Sequence, residues 1–292
     1  MPTYKIFTVD AFAAAPFGGN QAAVVAVPPE HPLSDETMQA LAGEMNVSET
    51  AFVEPLEGGG FQAAERFGLR WFTPTVEVPL CGHATLAAAQ VLRGELGNAS
   101  GALRFATLSG ELVVRAGADG RLEMTLPADP PAAAAAAAAT DDVRALVAAA
   151  TGRRHTDATE VAVSPALRYM VVHDPGLGAA DVAALEPGIT APVVEAGRRL
   201  GVRAVIVTAR GTDCDFVSRF FAPWCGIDED PVTGSAHAVL APFWAARLGR
   251  RSFAARQCSR RGGDLRVALA DDGATVVVGG HARVMIRGTI DL

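Results

Sequence analysis

Glu49 stands between Ser48 and the apolar segment Thr50–Val53. An apolar strand there would draw the carboxylate into partly dry surroundings. Desolvation raises a carboxyl pKa toward the range useful for moving a proton, although an ordinary capping or exposed glutamate would carry the same sequence. His83 follows Gly82 in the run Cys81-Gly82-His83-Ala84-Thr85. In the first turn of a helix, an imidazole can donate to a ligand and its pKa tends to fall; a satisfied structural histidine is the alternative. Cys81, just ahead of that helix, is expected to have a lowered thiol pKa and to be a candidate base or nucleophile; small buried filler is the alternative. Asp230 and Ser235 flank a second glycine, Gly234, in Asp230-Pro231-Val232-Thr233-Gly234-Ser235. Both are residue types that cap helices.

These residues lie in a stretch that the chain writes twice. Glu77, Pro79, Gly82 and Ala84 recur as Glu229, Pro231, Gly234 and Ala236 at one constant offset. Phe72 and Pro74 recur as Phe221 and Pro223 at a shorter one, so the second loop is longer by three residues. In this register Thr233 matches Cys81 and Ser235 matches His83. Each copy reads as an aromatic strand, a Pro-containing loop and a small-residue helix with glycine at its start. A repeat at half the chain length points to two similar domains rather than a solenoid. Gly82 and Gly234 would leave the helix-start N–H groups open to an anion, each offering half of a carboxylate-sized pocket.

The positioning elements follow from period and punctuation. Strands are predicted over Tyr4–Phe12 and Ala22–Val27 around the Gly18-Gly19-Asn20 turn, and over Thr50–Glu54 and Leu69–Thr73 around a Gly58-Gly59-Gly60 hairpin tip. Ser34 caps a helix whose face carries Met38, Leu41 and Met45. Pro127–Pro131 is the candidate linker, and the alanine run Ala132–Ala139 is expected to extend a helix through Asp141–Ala150. The second half repeats the mixture and ends in strands over Thr275–Val278 and Ala282–Ile290. Many strands with one prominent helix per half predict an α+β fold, a mixed sheet around a central helix.

The chain has 292 residues, half of them hydrophobic, enough for one large or two medium domains. Its net charge of −7 argues against nucleic acid or an anionic membrane as partner. The start lacks the features of a signal peptide, and the apolar runs are too short or too interrupted to span a bilayer. The cysteines, Cys81, Cys214, Cys225 and Cys258, show no C-x-x-C spacing, so neither a disulfide framework nor a metal is expected. The expectation is a soluble, cytoplasmic protein acting on a small molecule.

The segments Gly19–Val25 (GNQAAVV), Met45–Val53 (MNVSETAFV), Arg70–Ala87, Asp228–Ala241 and Gln257–Val267 together resemble the PhzF family of phenazine-biosynthesis isomerases. The resemblance spans nearly the whole chain. It implies the diaminopimelate-epimerase-like fold: two pseudo-symmetric domains, residues 1–126 plus 282–292 and residues 127–281, with the active site between them. It also implies a homodimer without cofactor or metal. Glu49 matches the family's catalytic acid/base, which moves a proton between carbons of a cyclic amino-hydroxy diene acid. His83, Asp230 and Ser235 match substrate contacts, Gly82 and Gly234 the helix-start glycines, and Asn20 the family's GN element. Gln21 stands where the family most often has proline, a departure that touches loop geometry more than chemistry. Thiol racemases share the fold and use two cysteines, but Thr233 occupies the second position. A Cys81-dependent dehydratase or racemase-like enzyme is the alternative, and a catalytically silent small-molecule-binding protein a third.

Overall fold

The computed structural model describes residues 1–117, 119–133 and 140–292. The chain divides into two compact units, residues 1–125 with 279–292, and residues 126–278.

The first unit begins with β1 (Thr3–Ala11), β2 (Asn20–Ala26), α1 (Asp35–Met45), β3 (Glu49–Pro55), α2 (Gly60–Ala63), β4 (Arg66–Phe72) and β5 (Glu77–Val78). Next come α3 (Gly82–Gly94), β6 (Ala102–Thr107), β7 (Gly110–Ala116) and β8 (Leu122–Pro127). The sheet is mixed: β1 runs antiparallel to β2, β2 parallel to β3, β3 antiparallel to β4, β4 parallel to β6, and β6 antiparallel to β7. Around α3 the sequence is small and apolar on every side, and the helix is buried on every side, packed against β1, β2 and β3. A helix hydrophobic all round belongs in a core. Ser34 caps α1 as its type predicts, accepting from the Thr37 N–H at 3.2 Å. The expected glycine hairpin tip instead leads into the short helix α2, with Gly59 at φ +103°.

The second unit contains β9 (Ala132–Ala133), α4 (Asp141–Thr151), β10 (Glu160–Val163), β11 (Tyr169–His173), α5 (Ala179–Ala183), α6 (Ala191–Arg199) and β12 (Ala204–Arg210). It continues with β13 (Phe216–Phe221), α7 (Gly234–Leu248), β14 (Ser252–Gln257), β15 (Gly263–Leu269) and β16 (Thr275–Gly280). The pairing directions of the first unit recur: β11 is parallel to β12, β12 antiparallel to β13, β13 parallel to β14, and β14 antiparallel to β15. The twofold repeat in the sequence is therefore a repeat of topology. The last strand, β17 (Ala282–Asp291), pairs antiparallel with β1. No helix among the described residues is long and apolar enough to cross a membrane.

The predicted helical extension through the alanine run is corrected at its start. Ala132 and Ala133 form a strand paired to β10, because a partner strand satisfies their backbone groups. Residues 134–139 lie outside the described residues, and α4 starts at Asp141, capped by Thr140.

The Pro127–Pro131 segment is tied down by α7. Pro242 lies inside that helix and has no N–H for the carbonyl of Ala238, a defect that costs about 3 kcal/mol in a free helix. Here the backbone N–H of Asp129 donates to that carbonyl at 3.1 Å. The buried Asp129 carboxylate in turn accepts from the N–H groups of Ala166 and Leu167 at 3.2 and 2.7 Å. Asp129→Ala leaves both donors unpaired and is expected to destabilise the protein by about 2–3 kcal/mol, read as a lower urea midpoint.

Candidate active site

Four elements of the first unit bring one polar cluster together. Gly19 adopts φ +66°, and a Cβ there would fall 2.0 Å from the Ala11 carbonyl oxygen, so only glycine makes this turn. The turn delivers Asn20 to the first position of β2, opposite Ala11 and almost fully buried. Glu49 opens β3, in register with Ala22 of the neighbouring parallel strand. Cys81 is the N-cap of α3, and His83 lies in its first turn.

The imidazole of His83 is the hub. Its Nε2 lies 3.1 Å from Glu49 Oε2 and 3.3 Å from Ser48 Oγ. Its Nδ1 lies 3.1 Å from the side-chain amide of Asn20. Cys81 Sγ sits 3.5 Å from Nδ1 and 4.0 Å from Nε2. Near-equal distances place the sulfur beside the ring rather than on the in-plane axis of either nitrogen, so no aligned Cys–His relay exists. Ser48 Oγ donates to the Gln21 carbonyl at 2.8 Å. A proline at position 21 would supply the same carbonyl, so this departure from the family's pattern leaves the contact intact. Glu49 is 7 % exposed, His83 6 % and Cys81 7 %. Glu49 Oε2 accepts no aligned hydrogen bond from the described residues. Ligand-type atoms of Glu49, Cys81 and His83 all lie within 4.8 Å of one another, but the sulfur is off the lone-pair axis of both ring nitrogens, so the three do not converge on one metal position.

All three pKa directions expected from the sequence are reversed. Burial pushes the Glu49 carboxyl upward, but His83, with Ser48 and Cys81, outweighs it and holds the group below its ordinary value. Burial pushes His83 downward, but Cys81 and Glu49 outweigh that and raise it well above its ordinary value. The Cys81 thiol is raised, first by burial and then by the Glu49 charge. Neighbouring groups at contact distance decide the signs for Glu49 and His83, and burial leads for Cys81; the helix dipole, only a partial charge, is outweighed at His83 and Cys81.

The second unit holds the corresponding helix start. Thr233 is the N-cap of α7 with nearly the same backbone angles as Cys81, and neither side chain caps its helix. Thr233 Oγ1 donates to Asp230, which thereby supports the cap residue. Ser235 Oγ lies 3.2 Å from the Tyr169 hydroxyl. Gly82 and Gly234 are the first residues of their helices. The structure thus gathers Asn20, Glu49, Cys81 and His83 in one unit, and Asp230, Thr233 and Ser235 in the other.

Several partners escaped the sequence reading. Gln257 accepts from the Thr233 N–H at 2.9 Å and donates to the Asp230 carbonyl at 2.7 Å, bracing that turn. Each copy of the repeat also carries an Arg–Glu clamp. Arg70 grips Glu77 through Nε and Nη2 at 2.7 and 2.8 Å, and Arg219 grips Glu229 through the same atoms at 2.5 and 2.8 Å. An Arg two residues before a Phe, followed by a Glu in the next loop, recurs in both copies and was the signal available. His237 matches Thr85 in the repeat. It donates Nδ1–H to the Thr233 carbonyl at 2.8 Å, as Thr85 Oγ1 donates to Cys81 O at 2.6 Å.

Burial of His237 pushes its pKa down to about 4. A base depressed from about 6.5 contributes stability above that value and loses it as pH falls toward 4, on the order of 3 kcal/mol in all. His83, raised, contributes stability that is fully present below its ordinary pKa and is lost as pH rises through its folded value. Urea midpoints between pH 7 and pH 4 are expected to fall more steeply for the wild type than for His237→Gln.

Comparison with known proteins places this geometry in a family. Residues 9–288 match the family described as phenazine biosynthesis-like protein, PhzC-PhzF. An uncharacterized isomerase of Pseudomonas aeruginosa is 45% identical over 290 residues, covering 98% of each chain. Phenazine biosynthesis-like domain-containing protein 1 of Mus musculus is 41% identical over 293 residues, again 98% of each chain. The crystal structure of a PhzF-family phenazine biosynthesis protein from Enterococcus faecalis superposes with a TM-score of 0.84 at 36% identity, covering 100% of both chains. The α+β architecture with its mixed sheet is the one expected, and the chain belongs to the phenazine biosynthesis-like PhzC-PhzF family.

Proposed function

We propose that the chain is a cofactor-independent isomerase that shifts a proton between carbons of a small, carboxylate-bearing metabolite, with Glu49 as general acid/base. Family membership and relatives named as isomerases support the reaction class. The observation that carries the residue assignment is the buried Glu49 carboxylate, held 3.1 Å from His83 with Oε2 accepting no aligned hydrogen bond from the described residues. Its lowered pKa makes it a carboxylate at neutral pH, the form in which a base starts. It takes a proton from one carbon, becomes the neutral acid, and returns the proton to another carbon on the same face. The His83 imidazolium beside it stabilises negative charge developing on the substrate. The N–H groups at the Gly82 helix start, uncapped by Cys81, suit the substrate's carboxylate. Asn20, His83, Asp230, Ser235 and Gly234 are proposed as further substrate contacts. We take the working form to be a cytoplasmic homodimer.

A Cys81-dependent reaction is less well supported. The raised thiol pKa and the off-axis position of Sγ leave no formed thiolate and no aligned base for it.

The test is solvent-deuterium incorporation, followed by NMR across a panel of cyclic and linear amino and hydroxy acids. On the compound that exchanges, Glu49→Gln is expected to lower turnover by roughly two to four orders of magnitude while ligand binding survives. Near-normal turnover by that variant rules the mechanism out. Cys81→Ser is expected to retain most activity; complete loss with normal folding would favour the thiol reaction instead.

A further inference from the structure

The turn ahead of α7 rests on one side chain. Gln257, the last residue of β14, is fully buried, and both ends of its amide are used. Oε1 accepts from the Thr233 N–H at 2.9 Å, and Nε2 donates to the Asp230 carbonyl at 2.7 Å and to Thr233 Oγ1 at 3.2 Å. Thr233 Oγ1 in turn donates to the Asp230 carboxylate. An uncharged amide can meet a backbone N–H and a backbone carbonyl at once. Out of water each of these bonds is needed, because an unpaired polar group there is costly.

The first unit is built differently at this place. Gly68 pairs with Ala106, and Val217 with Arg256; Gly68 and Val217 each stand four residues before the repeated Phe72 or Phe221. Thr107 is therefore the counterpart of Gln257, and Ser109 that of Ser259. The serines act alike: each donates Oγ at 2.8 Å to the carbonyl of the repeated proline, Pro79 or Pro231. Thr107 instead donates to the Gly110 carbonyl at 2.7 Å, within its own hairpin. The pairing of Thr50 with Phe72 and of Val205 with Phe221 also places Ala204 where the first unit has Glu49. The first helix start is held by the buried Glu49–His83 contact. The second has alanine and serine at those two places, and glutamine holds it.

We propose that Gln257 is a positioning residue of the substrate site. By fixing the turn from Asp230 to Thr233, it sets where Asp230 and Ser235 meet the substrate. This rests on the reading of Asp230 and Ser235 as substrate contacts. The groups that Gln257 holds lie in the second unit, while Glu49 and the groups that set its charge lie in the first. Gln257 therefore governs affinity and not proton transfer.

Amide hydrogen exchange followed by NMR tests the positioning without a substrate. In the wild type the Thr233 N–H is expected to be protected about tenfold or more over an open loop amide. Gln257→Leu should remove that protection while the amides of β12 and β13 keep theirs. On the compound that incorporates deuterium, Gln257→Leu is expected to raise KM about tenfold and leave kcat within about threefold. Gln257→Glu keeps the acceptor but loses the donor, and should raise KM less; it carries the KM test if Gln257→Leu fails to fold. An unprotected Thr233 amide in the wild type, or protection lost throughout the unit in Gln257→Leu, overturns the role. So does a folded variant with unchanged KM, or one that loses kcat alone. Asp230→Asn separates this from failure of the underlying reading. If it too leaves KM unchanged, the substrate contact has failed; if it raises KM while the Gln257 variants do not, only the positioning role falls.

Discussion

The contact between His83 and Glu49 sets the terms for everything around it. Two ionisable groups taken out of water lose hydration worth several kcal/mol each, and only close, well-held partners restore it. The carboxylate therefore needs a fixed place, which it has as the first residue of β3, in register with β2. The imidazole needs one too, and the buried first turn of α3 provides it. Asn20 and Ser48 occupy the remaining polar edges of the ring. An apolar helix enclosed by the sheet can hold this pair because the polar groups are confined to one end of it.

The repeat shows how one scaffold carries different chemistry. In both units an Arg on an aromatic strand clamps a Glu in the following loop, and the loop delivers an N-cap residue with the same backbone conformation. The Arg also lies over the neighbouring ring, 5.1 Å from Phe72 in one unit and 5.2 Å from Phe221 in the other. Onto this shared frame the two copies place unlike groups: Cys81 against Thr233, His83 against Ser235, Thr85 against His237. Among the described residues, the first copy gathers a buried thiol, imidazole and carboxylate at its helix start. The second is braced by neutral hydrogen bonds from Gln257, and burial holds its His237 neutral.

Much of this protein was legible in its sequence. The twofold repeat foretold a repeated topology, because a strand, a loop and a glycine-led helix written twice can satisfy their backbone groups in the same way twice. The α+β class and the central helix followed from period, and Glu49 and His83 stood out from their neighbours by residue type alone. The signs of their pKa shifts did not. Local sequence offered an apolar strand after Glu49 and a helix dipole at His83 and Cys81, and each pointed the wrong way. Glu49 and His83 are 34 residues apart in the chain but 3.1 Å apart in space. At that distance a full charge outweighs both burial and a partial dipole, and only the pairing of β2 with β3 around α3 brings the two groups so close.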